Sequence, residues 1–165
     1  LLDWPLVPPT LAREGEAGLG SLQLFIPSGD DSNFFTLRES HRDQLFKMAV
    51  FDMIANNADR KGGHCFLGPE GMLLGVDHGL TFHVQHKLRT VIWDFAGDSV
   101  PEELLKNVRV LQDLLCQESD PRVESITELL EASEMDALRR RVESILANPI
   151  MPSPYSRHDI PYPPL

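Results

Sequence analysis

The sequence is poor in cysteine and lysine, lacks any long apolar run and contains no internal repeat, and each shortage closes off a class of function. Its two cysteines, Cys65 and Cys116, stand far apart in apolar surroundings. That excludes a disulfide framework and reads as two buried thiols in a reducing, cytoplasmic compartment. The four lysines are Lys47, Lys61, Lys87 and Lys106, and with 25 Asp and Glu against 15 Lys and Arg the formal charge is −10. Beyond Arg139, Arg140 and Arg141, read as a solvated helix face, there is no basic cluster. The electrostatic footprint of a nucleic-acid binder is therefore missing, and an anionic membrane surface is a poor docking partner. No segment has the length of a membrane-spanning helix, and no basic stretch near Leu1 leads into an apolar one. A soluble protein without membrane insertion or a secretion signal is expected.

What is present suffices for a core: 42% of the 165 residues are hydrophobic, enough for one domain or the larger lobe of two. The chain opens on Trp4-Pro5-Leu6-Val7-Pro8-Pro9-Thr10, from which a further amino-terminal part is expected. Residues 1–20, rich in Pro and Gly, read as loop with one short extended piece. Ser21-Leu22-Gln23-Leu24-Phe25-Ile26-Pro27 reads as a short strand, stopped by the turn formers Ser28-Gly29-Asp30-Asp31-Ser32-Asn33. Over residues 38–56, Leu45, Met48, Ala49, Asp52, Met53 and Asn56 recur by threes and fours, and Phe46, Val50 and Phe51 widen the apolar face. The spacing predicts a largely buried helix. It ends in the polar loop Asn56-Asn57-Ala58-Asp59-Arg60-Lys61-Gly62-Gly63.

Two apolar runs, His64-Cys65-Phe66-Leu67 and Met72-Leu73-Leu74-Gly75-Val76, flank Gly68-Pro69-Glu70-Gly71, the composition of a hairpin with a four-residue connection. Pairing Leu67 with Met72 sets His64 opposite Gly75 and gathers Asp59, His64 and Asp77 at one end. After an irregular stretch in which Trp93 and Phe95 cap the core, three helices are expected. One follows Asp98 or Ser99 and Pro101 and runs to Cys116. A second follows Asp120-Pro121 and runs to Leu130, and a third is opened by Ser133 with Asp136 and runs to Ala147. Residues 148–165 are a proline-rich tail that either wanders or lies along the helical body. The expected division is thus 1–147 as one catalytic lobe, with 1–37 as strand and connector, and 148–165 as tail.

The order of strand, connector, core helix, polar loop, hairpin and Asp77-His78-Gly79 leads to a specific likeness. Phe51-Asp52-x-Ile54-x-x-Asn57-x-Asp59-Arg60 is similar to the catalytic loop of the bacterial phosphatidylinositol 3-/4-kinase-like family, and Val76-Asp77-His78-Gly79 resembles its metal-binding Asp-Phe-Gly element. The resemblance runs from about Leu22 to Leu115. It implies an α+β, protein-kinase-like fold seen mainly as its helical large lobe, with the small lobe missing from this chain. It also implies an ATP- and metal-dependent phosphotransferase.

Phosphoryl transfer needs a group that orients the acceptor hydroxyl and takes its proton, and oxygen ligands that hold a cation against the phosphates. By resemblance Asp59 does the first, Asp77 the second, Arg60 braces the loop or offsets phosphate charge, and Asn57 holds the loop in shape. Gln23, Phe25 and Ile26 correspond to the interlobe segment that meets the adenine, and Val76 to the residue beneath the base. Where the family carries a metal-binding Asn, five residues after the catalytic aspartate, this chain has His64. An imidazole there suits Mn²⁺ better than Mg²⁺, or marks a supporting role for His64. No glycine-rich phosphate loop and no lysine precede Leu22. Acidity favours a protein or small soluble acceptor over a lipid. A pseudokinase or interaction module is the alternative, and a metal-dependent hydrolase built on His64, Asp77, His78, His83 and His86 a weaker one.

Overall fold

Residues 10–23 form a two-stranded hairpin where the sequence predicts mostly loop up to residue 20 and a strand from Ser21. The computed structural model describes residues 1–29 and 31–165; Asp30, in the expected turn cluster, lies outside the described residues. Strand β1 (Thr10–Gly15) pairs antiparallel with β2 (Gly18–Gln23), Gly15 facing Gly18 across the turn Glu16-Ala17. Gly18 closes that turn at φ 99°, a conformation that favours glycine. Nearly every residue of both strands is exposed. The alternation that betrays a half-buried strand is therefore absent, and the second strand ends at Gln23 rather than continuing to Pro27.

The helix expected over 38–56 is present, and a short helix precedes it within the expected connector. Helix α1 (Phe34–Leu37) is capped by Asn33, whose side chain accepts from the Phe35 and Thr36 amides, and it buries Phe34 and Leu37. Helix α2 (Arg42–Ala55) buries Leu45, Met48, Ala49, Val50, Asp52, Ile54 and Ala55. It stops where Asn56 turns left-handed at φ 53°, a conformation asparagine tolerates at helix ends.

Strands β3 (Cys65–Leu67) and β4 (Leu73–Gly75) form the second antiparallel pair. Leu67 faces Leu73 and Cys65 faces Gly75, so the connection has one residue more than expected, and His64 lies opposite Val76, whose amide donates to its carbonyl at 3.0 Å. Gly71, at φ 71°, accommodates the longer turn. A slip of one residue moves side chains to the other face, which is why Met72 is exposed while Leu73 is buried.

Helices α3 (Glu102–Leu115), α4 (Pro121–Thr127) and α5 (Ala132–Ala147) complete the core around Val108, Leu111, Leu115, Val123, Leu138 and Val142. Asp120 caps α4 as expected. Helix α3 instead starts after Pro101 with no side-chain cap, and α5 is opened by Glu131 and Glu134, not by Ser133 and Asp136. Phe95 is buried and stacks on Phe46. Arg141 is not a solvated face residue: its Nε donates to the Ile54 carbonyl at 2.8 Å and its Nη1 to that of His83 at 3.3 Å, pinning α5 to the end of α2. Cys116 is exposed, whereas Cys65 is buried.

The tail lies along the body. Met151 is buried and exchanges backbone hydrogen bonds with Gly97 and Asp98, Thr90 donates to the Asp159 carbonyl, and Gly62 donates to that of Pro164. The architecture is α+β, with five helices and two small antiparallel sheets among the described residues. No helix is long and apolar enough to cross a membrane.

Candidate active site

Helix α2 delivers Asp52 into the core one turn before its end, and the loop that follows returns Arg60 to it. Both side chains are wholly buried. Arg60 Nε and Nη2 donate to the two Asp52 oxygens at 2.9 and 2.8 Å, a bidentate pairing suited to the planar guanidinium. Burial opposes the charge on Arg60, but the Asp52 carboxylate outweighs it and holds the guanidinium pKa above its ordinary value. Asn57 Nδ2 donates to Asp52 Oδ1 at 3.0 Å, and Asn57 Oδ1 accepts from the Asp59 amide at 3.0 Å. One buried carboxylate thus orders the loop that presents Asp59.

The far face of Arg60 reaches the Asp77 turn. Nη1 donates to the Val76 carbonyl at 3.2 Å, and Nη2 meets His78 Nε2 at 2.8 Å. Arg60 therefore grips the residues on both sides of Asp77, whose backbone is left-handed at φ 55°, an uncommon state for a residue with a side chain. Because a guanidinium only donates, His78 Nε2 is the acceptor and Nδ1 carries its proton. Burial, reinforced by the Arg60 charge, pushes the His78 pKa down to about 4, so the imidazole is neutral. Arg60 is consequently a brace, and its burial keeps it from direct contact with a phosphate.

Gly75 leaves room for this arrangement: a Cβ there would sit 2.8 Å from Met48 Cε and 3.1 Å from Arg60 Nη1.

Between the two turns stands His64. Its Nε2 lies 3.4 Å from Asp77 Oδ2, and its Nδ1 faces the Lys61 amide at 3.4 Å. That places the proton on Nε2, directed at the Asp77 carboxylate. Burial lowers the His64 pKa and the Arg60 charge reinforces this, while the charges of Asp77 and Asp59 partly offset it. Asp59 also pairs with Lys61 Nζ at 3.4 Å and is 24% exposed, whereas the Asp77 side chain is 67% exposed.

Asn57, Asp59, Arg60, His64 and Asp77 are thus brought to one end of the β3–β4 hairpin. The four residues expected at the base are not gathered in the same way. Gln23 donates to Thr10 Oγ1 within its own hairpin, and Phe25 is 84% exposed. Ile26 approaches Gly68 at the opposite end of β3–β4, and Val76 is half-buried. Sequence reasoning missed the partnership of His78 with Arg60. It also missed Asn56, whose side chain clamps residues 83–87; the tandem Asn56-Asn57 after a helix was the available signal.

A Mg²⁺ or Mn²⁺ carried by a nucleotide would need only one or two carboxylates here, because such ions complete their shell with phosphates and water. Asp77 offers its carboxylate to solvent in that manner. Among the described residues no three His, Cys, Asp or Glu side chains cluster to hold a metal ion by themselves. The set that a hydrolytic centre would need is dispersed: His78 faces Arg60, while His83 and His86 line a separate cavity.

No protein-family model matches the chain, and no solved structure matches it. Protein Rv2133c of Mycobacterium tuberculosis is 38% identical over a gapped alignment 197 positions long, which covers 98% of this chain and 70% of that protein. Its printed name states no activity. At that identity and coverage, the chain belongs to the same family as Protein Rv2133c of Mycobacterium tuberculosis.

Proposed function

We propose that this protein is an ATP- and metal-dependent phosphotransferase with a protein-kinase-like large lobe, similar to the bacterial phosphatidylinositol 3-/4-kinase-like family. The observation that carries the reading is the buried Arg60, which binds Asp52 beneath the Asp59 loop and holds Val76 and His78 on either side of Asp77. A brace of this kind keeps two carboxylates in fixed relation without consuming either, which catalysis by positioning requires.

Asp59 orients the acceptor hydroxyl and takes its proton as the oxygen attacks the γ-phosphorus and the bond to the β-phosphate oxygen breaks. Asp77 would hold the cation through its carboxylate, and a bound cation would supply charge stabilisation at the phosphates. His64 directs Nε2–H at Asp77 and acts as its positioning residue. Lys61 Nζ, 3.4 Å from Asp59 Oδ2, helps to orient that carboxylate. Of the four residues expected to meet the adenine, Val76, beside Asp77, is assigned to that role; Gln23, Phe25 and Ile26, which lie elsewhere, are not. The surplus of negative charge favours a protein or small soluble acceptor over a lipid.

The test is release of ADP from ATP with Mg²⁺ or Mn²⁺ by the protein and by two variants, Asp59→Asn and Asp77→Asn. Both variants should lose turnover by at least about 100-fold, the scale of a lost catalytic acid or base. Asp59→Asn should retain nucleotide binding, because it leaves Asp77 in place. Wild-type binding without turnover would favour the pseudokinase reading, which the histidine at position 64 motivates.

A further inference from the structure

Behind the two carboxylate-bearing turns lies a cavity of about 670 Å³. Ala58, next to Asp59, forms part of its wall, and so does Gly79, where a Cβ would lie 3.9 Å from Asp77 Oδ1. The cavity therefore abuts both halves of the site.

Against a net −10 for the chain, the wall gathers Lys87, Arg89, His83, His86 and His158 beside two carboxylates, Glu134 and Asp159. Neither Lys87 nor Arg89 is ion-paired with a carboxylate among the described residues. The two acidic residues of the wall are engaged locally. Asp159 Oδ2 accepts from the Tyr155 and Ser156 amides at 2.6 and 2.8 Å, and Glu134 Oε2 accepts from the Glu131 amide at 2.9 Å.

The cationic wall is also held in place. Asn56 Nδ2 donates to the carbonyls of His83 and Gln85 at 2.8 and 2.7 Å, and its Oδ1 accepts from the Lys87 amide at 2.9 Å. Arg89 donates from its amide to the Asn57 carbonyl and accepts at its own carbonyl from the Arg60 amide, so it shares backbone with the Asp59 loop. Its Nε is fixed on the His158 carbonyl at 2.9 Å, which leaves the outer nitrogens of the fork to a ligand. His83 Nδ1 accepts from the Gln85 amide, so Nε2 is a donor even in the neutral ring. Arg89 and His83 are held at the side chain and Lys87 at its backbone amide, so part of the donor set is ordered before a ligand arrives, and a volume of this size suits a small molecule.

We propose that this cavity binds a small soluble molecule through an oxyanion, a phosphate or carboxylate group, held by Lys87 and Arg89. Its assignment as the phosphate acceptor rests on the phosphotransferase reading; the anion site itself does not.

Inorganic phosphate is the probe. Its addition to the metal-free protein at constant pH and ionic strength should shift the imidazole NMR signals of His83, His86 and His158 saturably. Lys87→Glu, at an exposed position, should weaken that binding at least about tenfold, while Lys106→Glu, the same charge change at an exposed position of α3 outside the cavity, should leave it within about twofold of wild type. Malonate in place of phosphate separates carboxylate from phosphate preference. Absence of a saturable shift, or equal binding by Lys87→Glu, overturns the proposal. Phosphate binding that behaves as described, with ATP turnover equal in wild type and Asp59→Asn, would leave the anion site standing and remove the phosphotransferase reading.

Discussion

Replacing Asp52 with asparagine isolates the brace between the two carboxylate turns, because it removes the charge and keeps the shape. In the native protein Asp52 and Arg60 have no exposed side-chain surface and share two hydrogen bonds. Breaking a buried pair by neutralising one partner costs about 3–5 kcal/mol, since the other charge stays buried without compensation. Arg60 keeps its bonds to the Val76 carbonyl and His78, and the new amide retains one acceptor, so the lower end, about 3 kcal/mol, is expected. At roughly 2–4 °C per kcal/mol for a chain of this size, Tm falls by about 6–12 °C.

Urea denaturation at pH 7 followed by circular dichroism measures the change directly, provided that the slope is unaltered. Asp52→Leu, Arg60→Met and their combination close a double-mutant cycle. The pair should be less destabilised than the sum of the singles by about 1–3 kcal/mol. A loss below about 1 kcal/mol for Asp52→Asn, or strict additivity in the cycle, would refute the reasoning, since an exposed pair behaves that way.

Three further outcomes follow from the same geometry. Asn56→Gly keeps the left-handed backbone but deletes three side-chain hydrogen bonds to residues 83–87; it should cost about 2–4 kcal/mol by urea melt, at about 1 kcal/mol per bond. Gly75→Ala forces a methyl against Met48 and Arg60 and should cost about 1–3 kcal/mol, whereas Gly20→Ala, with open space around it, should melt like wild type. Ellman's reagent should label Cys116 at once and Cys65 only on unfolding, because burial pushes the Cys65 thiol up to about 12; prompt labelling of two thiols in the native protein would contradict this.

The parts of this molecule readable in the sequence are those whose signals are local. Asp120-Pro121 announces α4 because a cap and a first-turn proline act within three residues. Asn57 and Asp59 are placed by a helix end and a polar loop, and Asp77 by the strand that precedes it. Arg60 is harder to read because arginine is seldom wholly buried, and the carboxylate that makes burial tolerable lies eight residues earlier, across a helix terminus. The β1–β2 hairpin escapes because its strands are exposed on both faces and carry no alternating pattern. The β3–β4 register escapes because a single extra turn residue decides it, and Gly68-Pro69-Glu70-Gly71 suits either length. The tail's path depends on distant carbonyls at Met151, Asp159 and Pro164, which leave no imprint on residue type.

Isothermal titration of the protein with MnATP, beside Asp77→Asn and Asp59→Asn, tests most directly whether the carboxylates at these two turns serve one nucleotide-bound cation. Saturable binding by wild type, retained by Asp59→Asn and weakened at least about tenfold by Asp77→Asn, is the predicted result. No binding by wild type, or equal binding by Asp77→Asn, would contradict it.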